Sequence, residues 1–345
     1  MDEDEVLDRL RDVEAPDLGE DIVSLGLVNS VELDDGTARV SLGLGAPYSP
    51  TETAIADEVR DALADLGLEA DLSARVDAGA GEGDVLSDVQ NVIAVASGKG
   101  GVGKSTVAVN IAAGLAERGA RVGLFDADVY GPNVPRMLGA TEPPKATAEE
   151  TMVPPEKYGL KLMSMAFLVG EEDPVIWRGP MVHKVITQLW EDVEWGALDY
   201  MVVDLPPGTG DTQLTLLQSV PVTGAVVVTT PQQVALDDAR KGLEMFGKHE
   251  TPVLGIVENM AGFRCPDCGS EHAVFGEGGG RRFADDHDMP FLGSIPLDPA
   301  VRTGDDEGRP IVLDPDNETG ERFRDLAGEV ADNAGIVRRR RHASR

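Results

Sequence analysis

Apolar positions fall into two textures along this chain. Up to Val76 they are sparse and periodic. "DEVLDRLRDV" (4–13) spaces them along one face of a helix. "DIVSLGLVNSVEL" (21–33) and "TARVSLGLG" (37–45) read as half-buried strands, and the Asp-Gly between them predicts a tight hairpin. "SPTETAIADEVRDALADLG" (49–67) opens on a capping serine, keeps a helical period and closes on glycine. "ADLSARV" (70–76) adds a short strand. Residues 1–76 are therefore expected to form a small α+β domain. The small, acidic run "DAGAGEGD" follows, and residues 77–90 are expected to be a linker.

From Asn91 the pattern changes to short, wholly apolar runs separated by helical segments. "VIAVA" (92–96), "RVGLF" (121–125), "YMVVD" (200–204), "GAVVVTT" (224–230) and "VLGIVEN" (253–259) are the clearest. Doubly buried strands alternating with helices predict an α/β fold, a mostly parallel sheet with helices on both faces, over residues 91–335. Ligands of such sheets bind beyond the carboxyl ends of the strands. Near the end, Phe323, Leu326 and Val330 recur at helical spacing, which predicts a helix docked on the domain. The arginine-rich residues 336–345 are expected to be a solvated basic tail.

Composition narrows the class. A chain of 345 residues has length for two domains, and no apolar run is long enough to cross a bilayer. The acidic start "MDEDEVLDRL" does not read as a signal peptide, so a cytoplasmic protein is expected, with no membrane partner. Asp and Glu outnumber Lys and Arg 62 to 30, for a net charge of −32. Phosphate backbones would be repelled, so no nucleic-acid partner is expected. The excess reads instead as the solvated surface of a salt-adapted protein.

The candidate chemistry begins at "ASGKGGVGKST" (96–106). Gly98-x-x-x-x-Gly103-Lys104-Ser105 is a complete phosphate-loop pattern, set between an apolar strand and a helix, "KSTVAVNIAAGLAERG" (104–119). Backbone amides of Gly98, Lys99, Gly100, Gly101, Val102 and Gly103 are expected to surround phosphates, aided by the positive end of the helix. Lys104 is expected at the β- and γ-phosphates, Ser105 on Mg²⁺ and Thr106 at the α-phosphate of ATP. "DYMVVDLPPGTGD" supplies Asp204 at a strand end to orient the metal's water shell. "LFDADVYGPN" supplies Asp128, expected to position or deprotonate the attacking water. Asp126 is read either as a neighbour of Mg²⁺ or as structural.

The loop carries two of only eight lysines. One phosphate chain has little room for two ammonium groups from one turn. Lys99 is therefore expected to reach a second nucleotide in a facing subunit, neutralising charge as an arginine finger does in trans. The alternative is a solvated or intrachain lysine.

"KGGVGKST" is similar to the deviant Walker A loop of the MinD/ParA/ArsA group of dimerising ATPases. Together with "DADVYGPN", "WRGPM", "DLPPGTGD", "ENM" and "CPDCG…FGEGGG", residues 88–335 resemble the Mrp/ApbC family of iron–sulfur cluster carrier ATPases. Residues 1–76 resemble the small cluster-assembly domain that members often carry. Where that domain often has a cysteine, this chain has "GAPYSP", with Tyr48 and Ser49. The resemblance implies that Asn259 recognises adenine; from the residues alone it is equally a turn former. It places Trp177 and Arg178 in a family motif without assigning either a role.

The chain's two cysteines, Cys265 and Cys268, form a C-x-x-C pair, a spacing open to redox, zinc or cluster chemistry. Zinc and [4Fe–4S] sites normally take four protein ligands, so a two-fold homodimer would complete a site that one chain half supplies. His272, four residues past Cys268, is read as a surface histidine. The expected function is an ATP-hydrolysing carrier of a labile [4Fe–4S] cluster shared between subunits, delivered to apo iron–sulfur proteins. The alternatives are a MinD/ParA-like positioning ATPase and a zinc-stabilised nucleotide-binding scaffold.

Overall fold

The structure is a computed structural model describing residues 2–74, 86–129, 131–168, 179–265, 268 and 270–343. Most of the linker 77–90, together with Trp177 and Arg178, lies outside the described residues. The chain divides into two units, one of residues 1–79 with 331–345, the other of residues 80–330.

In the smaller unit, α1 (Glu3–Leu10) is capped by Asp2, whose carboxylate accepts from the Glu5 amide. Strands β1 (Val28–Asp34) and β2 (Thr37–Leu42) pair antiparallel across Asp35 and Gly36. Both turn residues have positive φ, 46° and 89°, as a primed two-residue turn requires. Helix α2 (Pro50–Asp65) follows, and β3 (Glu69–Ala74) lies parallel to β2. Leu10, Ile22, Leu27, Val40, Ile55 and Leu63 are fully buried between these elements.

Ser49 acts here as a helix cap, its hydroxyl accepting from the Glu52 amide at 3.1 Å. Tyr48 beside it holds a positive φ of 63° and is half exposed.

Residues 336–343 depart from the expected solvated tail 336–345, whose last two residues lie outside the described ones. The last helix runs Glu318–Ala343, and Arg339 within it is fully buried in the smaller unit. Its guanidinium donates to Glu52 Oε1 at 2.5 Å and, through Nη2 and Nε, to Asp17 Oδ2 at 3.1 and 3.2 Å. Glu52 also accepts the amides of Gly45 and Ala46, at 3.1 and 2.8 Å. A run of arginines reads as a solvated tail only while no carboxylates are waiting for it. Two carboxylates far away in sequence make burial of this charge tolerable.

The larger unit holds β4 (Val89–Ala96), α3 (Lys104–Glu117), β5 (Val122–Asp126), β6 (Leu160–Ser164), α4 (Gly179–Glu191) and β7 (Leu198–Asp204). It continues with α5 (Asp211–Ser219), β8 (Gly224–Thr229), α6 (Gln233–Lys248), β9 (Val253–Arg264), α7 (Gly279–Asp286), β10 (Phe291–Leu297) and α8 (Pro299–Glu307). The helix Glu318–Ala343, α9, closes the chain. Seven strands pair in parallel in the order β6-β5-β7-β4-β8-β9-β10. Short antiparallel strands, Glu156–Lys157 and Glu271–His272, extend it.

Every residue of β5, β7 and β8 is buried, which is why these strands read as unbroken apolar runs. Phe125 and Trp190 meet edge to face at 4.3 Å where α4 covers the sheet. Phe323, Leu326 and Val330 are buried, as the docked-helix reading of their spacing expects. Among the described residues no helix is long and apolar enough to cross a membrane.

Candidate functional site: phosphate loop and thiol hairpin

Three neighbouring strands end together at the site. The sheet register places Asp204 of β7 opposite Asp126 of β5 on one side and Val95 of β4 on the other. The loop after β4 therefore faces carboxylates from both following strand ends.

Gly98 and Gly103 are set by close approach. A Cβ at Gly98 would stand 2.3 Å from the Asp238 backbone of α6, and one at Gly103 would stand 2.1 Å from the Asn259 amide. Gly103, the residue just before α3, also has φ +80°, and Gly101 within the loop has the same φ. Gly208 of the "PPGTGD" segment donates its amide to Ser97 O at 2.9 Å, fixing that segment beside the loop.

Lys104 is buried and donates to Asp204 Oδ1 at 2.5 Å; its ammonium lies 3.4 Å from Ser105 Oγ and 4.0 Å from Asp128 Oδ2. Asp126 is fully buried, accepting the amides of Asp128 and Val134 and the Ser164 hydroxyl, at 3.2, 3.2 and 2.8 Å. Burial first, then the charge of Asp204, lifts its carboxyl to about 8. Burial likewise raises Asp204, against the pull of Lys104. Two of the three bonds held by Asp126 come from the segment that follows β5 and the third from the end of β6. Among the described residues Asp204 Oδ2 is buried without a hydrogen-bond partner. An orphaned carboxylate oxygen beside a serine hydroxyl is a hard-oxygen donor set that fits Mg²⁺.

Lys99 is half-buried, and among the described residues its ammonium makes no ion pair. The Asn259 amide donates to Val102 O at 2.8 Å, while its oxygen accepts the Met260 amide at 2.9 Å. It braces the phosphate loop from β9, and contact with adenine would require one of these bonds to exchange. Thr106 donates to Asp305 Oδ2 on α8 at 3.0 Å. Asp305 and Ser164 were not legible as site residues. Asp305 lies in an acidic run like many others, and Ser164 carries no motif beyond its place at a strand end.

Beyond Asn259, β9 continues to Arg264 and turns through the cysteines into Glu271–His272, with Phe263 opposite His272. The Cys265 amide donates to Ser270 O at 2.9 Å, closing the turn. Both cysteines are unbridged; Cys265 is half-buried and Cys268 exposed. Cys268 Sγ lies 3.2 Å from Ser270 Oγ. Ser270, first through its side chain and then its backbone, and next Cys265, hold the Cys268 thiol below its ordinary value, favouring the metal-binding thiolate. His272 is exposed, and among the described residues no three His, Cys, Asp or Glu side chains converge as a metal site. Glu258 anchors the far side of this region, accepting the Gly278 amide at 2.9 Å and that of Gly280 at the start of α7.

Residues 3–76 match the family described as iron–sulfur cluster assembly protein. The iron–sulfur cluster carrier protein of Synechocystis is 44% identical, over 97% of this chain and 98% of that protein. Its namesake in Deinococcus radiodurans is 46% identical over 96% of each. A nucleotide-binding protein of Archaeoglobus fulgidus, solved with ADP, is 39% identical, with a TM-score of 0.58 over 65% of this chain and 89% of that one. The cell division ATPase MinD of Pyrococcus furiosus, 25% identical, covers 70% of this chain and 98% of its own at a TM-score of 0.55. Residues 88–331 match the family described as NUBPL iron-transfer P-loop NTPase, and the chain belongs to it.

Proposed function

We propose that this chain is an ATP-hydrolysing iron–sulfur carrier whose homodimer holds a labile [4Fe–4S] cluster and delivers it to apoproteins. The observation that carries this reading is the hairpin. It presents two unbridged thiols, one exposed and shifted toward thiolate, just beyond the strand that braces the phosphate loop. Two thiolates are half of the ordinary ligand set, and the matching half of a second copy completes it. A cluster held at an exposed seam by two chains is easier to pass on than one enclosed by a single chain.

In the nucleotide site, Lys104 would exchange Asp204 for the β- and γ-phosphates, and Ser105 and Asp204 are the residues that would hold Mg²⁺. That ion would supply charge neutralisation at the phosphate oxygens. Asp128, 4.0 Å from the Lys104 ammonium, orients the attacking water. Lys99, with no ion pair among the described residues, serves the facing nucleotide.

The test is anaerobic loading with iron and sulfide, followed by transfer to an apo-enzyme with and without ATP. The expected result is one cluster per two chains, transferred at a rate that depends on nucleotide. Zinc without sulfide, or a cluster held by a strict monomer, refutes the reading.

A further inference from the structure

Thr106 has one hydroxyl proton, and it is already in use. It donates to Asp305 Oδ2 at 3.0 Å, and among the described residues Asp305 Oδ1 is buried with no hydrogen-bond partner. Under the nucleotide reading above, on which this inference rests, the same proton is wanted by the α-phosphate. A hydroxyl cannot donate to two anions at once.

The backbone around Asp305 has little freedom to withdraw. Helix α8 ends on Gly308, whose Cβ, if present, would stand 2.6 Å from the Gly139 backbone. Tyr158 donates its hydroxyl to Gly308 O at 2.9 Å, and Arg309 donates its amide to Gly304 O at 2.8 Å. Among the described residues Asp305 has no ion-pair partner, and the charge felt beside it is that of Asp306. Arg136, on the one-turn helix Val134–Met137, is engaged by Asp306 at 3.0 Å. The turn Ile311–Leu313 carries no charge, and Lys104 of α3 is held by Asp204. A phosphate seated on Thr106 would therefore meet an unneutralised carboxylate about one side chain away.

We propose that Asp305 is a positioning residue that competes with the α-phosphate for Thr106 and so weakens nucleotide retention. The consequence is easier release of ADP, a useful property in a carrier that cycles between nucleotide states. The carboxyl itself is raised to about 6, first by burial, with Thr106 lowering it and the adjacent Asp306 raising it. Its charge, and with it the competition, is therefore present at neutral pH and fades as pH falls through that value.

The experiment is calorimetric titration of the full chain with MgADP, for the wild type, Asp305→Asn and Asp305→Ala, at about pH 5 and about pH 8. Both variants are expected to bind about tenfold tighter than wild type at the higher pH, with the gap closing at the lower. Equal or weaker binding by either variant at the higher pH overturns the proposal. A purely structural role predicts that weaker binding. Lys104→Ala separates the two readings. Retained MgADP binding in that variant sinks the nucleotide site itself, whereas its loss beside unchanged Asp305 variants sinks only the competition.

Discussion

Replacing Arg339 with Met tests how the smaller unit is held together, and the structure sets the size of the effect. Met fills most of the space of the arginine stem but leaves Glu52 buried beside two backbone amides with no cation. Burial already pushes the Glu52 carboxyl upward, with Arg339 opposing it. Without the guanidinium, Glu52 must stay charged in an apolar site or take up a proton. Protonating a carboxyl of ordinary value 4.5 at pH 7 costs about 3.4 kcal/mol, a ceiling for this part of the loss. That figure agrees with the ~3–5 kcal/mol typical of breaking one side of a buried ion pair. The variant's Glu52 has a folded pKa raised above its unfolded one. The folded form then binds more protons, and the penalty grows as pH rises above the unfolded value and vanishes below it.

Hydrogen exchange across residues 37–74, read by mass spectrometry, measures this locally. Protection should fall by about two orders of magnitude at neutral pH and recover toward pH ~4.5. Glu52→Gln added to Arg339→Met should restore part of it, because the stranded charge is gone. Unchanged protection at neutral pH, or a loss indifferent to pH, would refute the reasoning.

Three further outcomes bear on the site. Lys99→Ala should lower ATP turnover by at least about tenfold with nucleotide affinity nearly unchanged, and unchanged turnover would remove the role across the dimer. Cys268→Ser should lose bound iron and sulfide while nucleotide binding persists, and retention of both would show the ligand set to be wrong. Gly103→Ala should abolish nucleotide binding and lower the melting temperature, because a methyl there meets the Asn259 amide at a positive φ; wild-type binding would show that the loop yields.

How much of this was legible beforehand follows from how far apart the cooperating residues lie. The Asp35–Gly36 turn, the capped helix from Ser49 and the buried strands each announce themselves within a few residues, and all appear as expected. The phosphate loop does too, since Gly101 and Gly103 answer a local demand for positive φ, although the room that Gly98 and Gly103 leave is for Asp238 and Asn259, far off in sequence. What stayed hidden depends on partners far off in sequence. Arg339 looks like one of four solvated arginines until Glu52 and Asp17 are placed around it. Asp305 looks like surface acid until Thr106 is found under it. In a chain this acidic, a single functional carboxylate has no local signature.

Asn259 shows the same limit from the opposite side, and it also explains why two chemistries share one strand. The resemblance assigned it to adenine, and its neighbours alone left it a turn former; neither reading contains the bond to Val102 O. That bond ties β9 to the phosphate loop six residues before the first cysteine. Between them Met260 and Gly262 take positive φ, 58° and 74°, and the pairing with β10 slips from Asn259 to Phe263. A regular strand would hand any shift of its start to its end along the whole ladder. Among the described residues, a strand broken at this point leaves Cys265 next to the Phe263–His272 pairing and held by its own bond to Ser270. Under the proposed function, the phosphate loop can thus pull on one end of a short, loosely registered segment whose other end carries the thiols. A carrier that must both hold and release needs that compliance, and a fully paired strand would deny it.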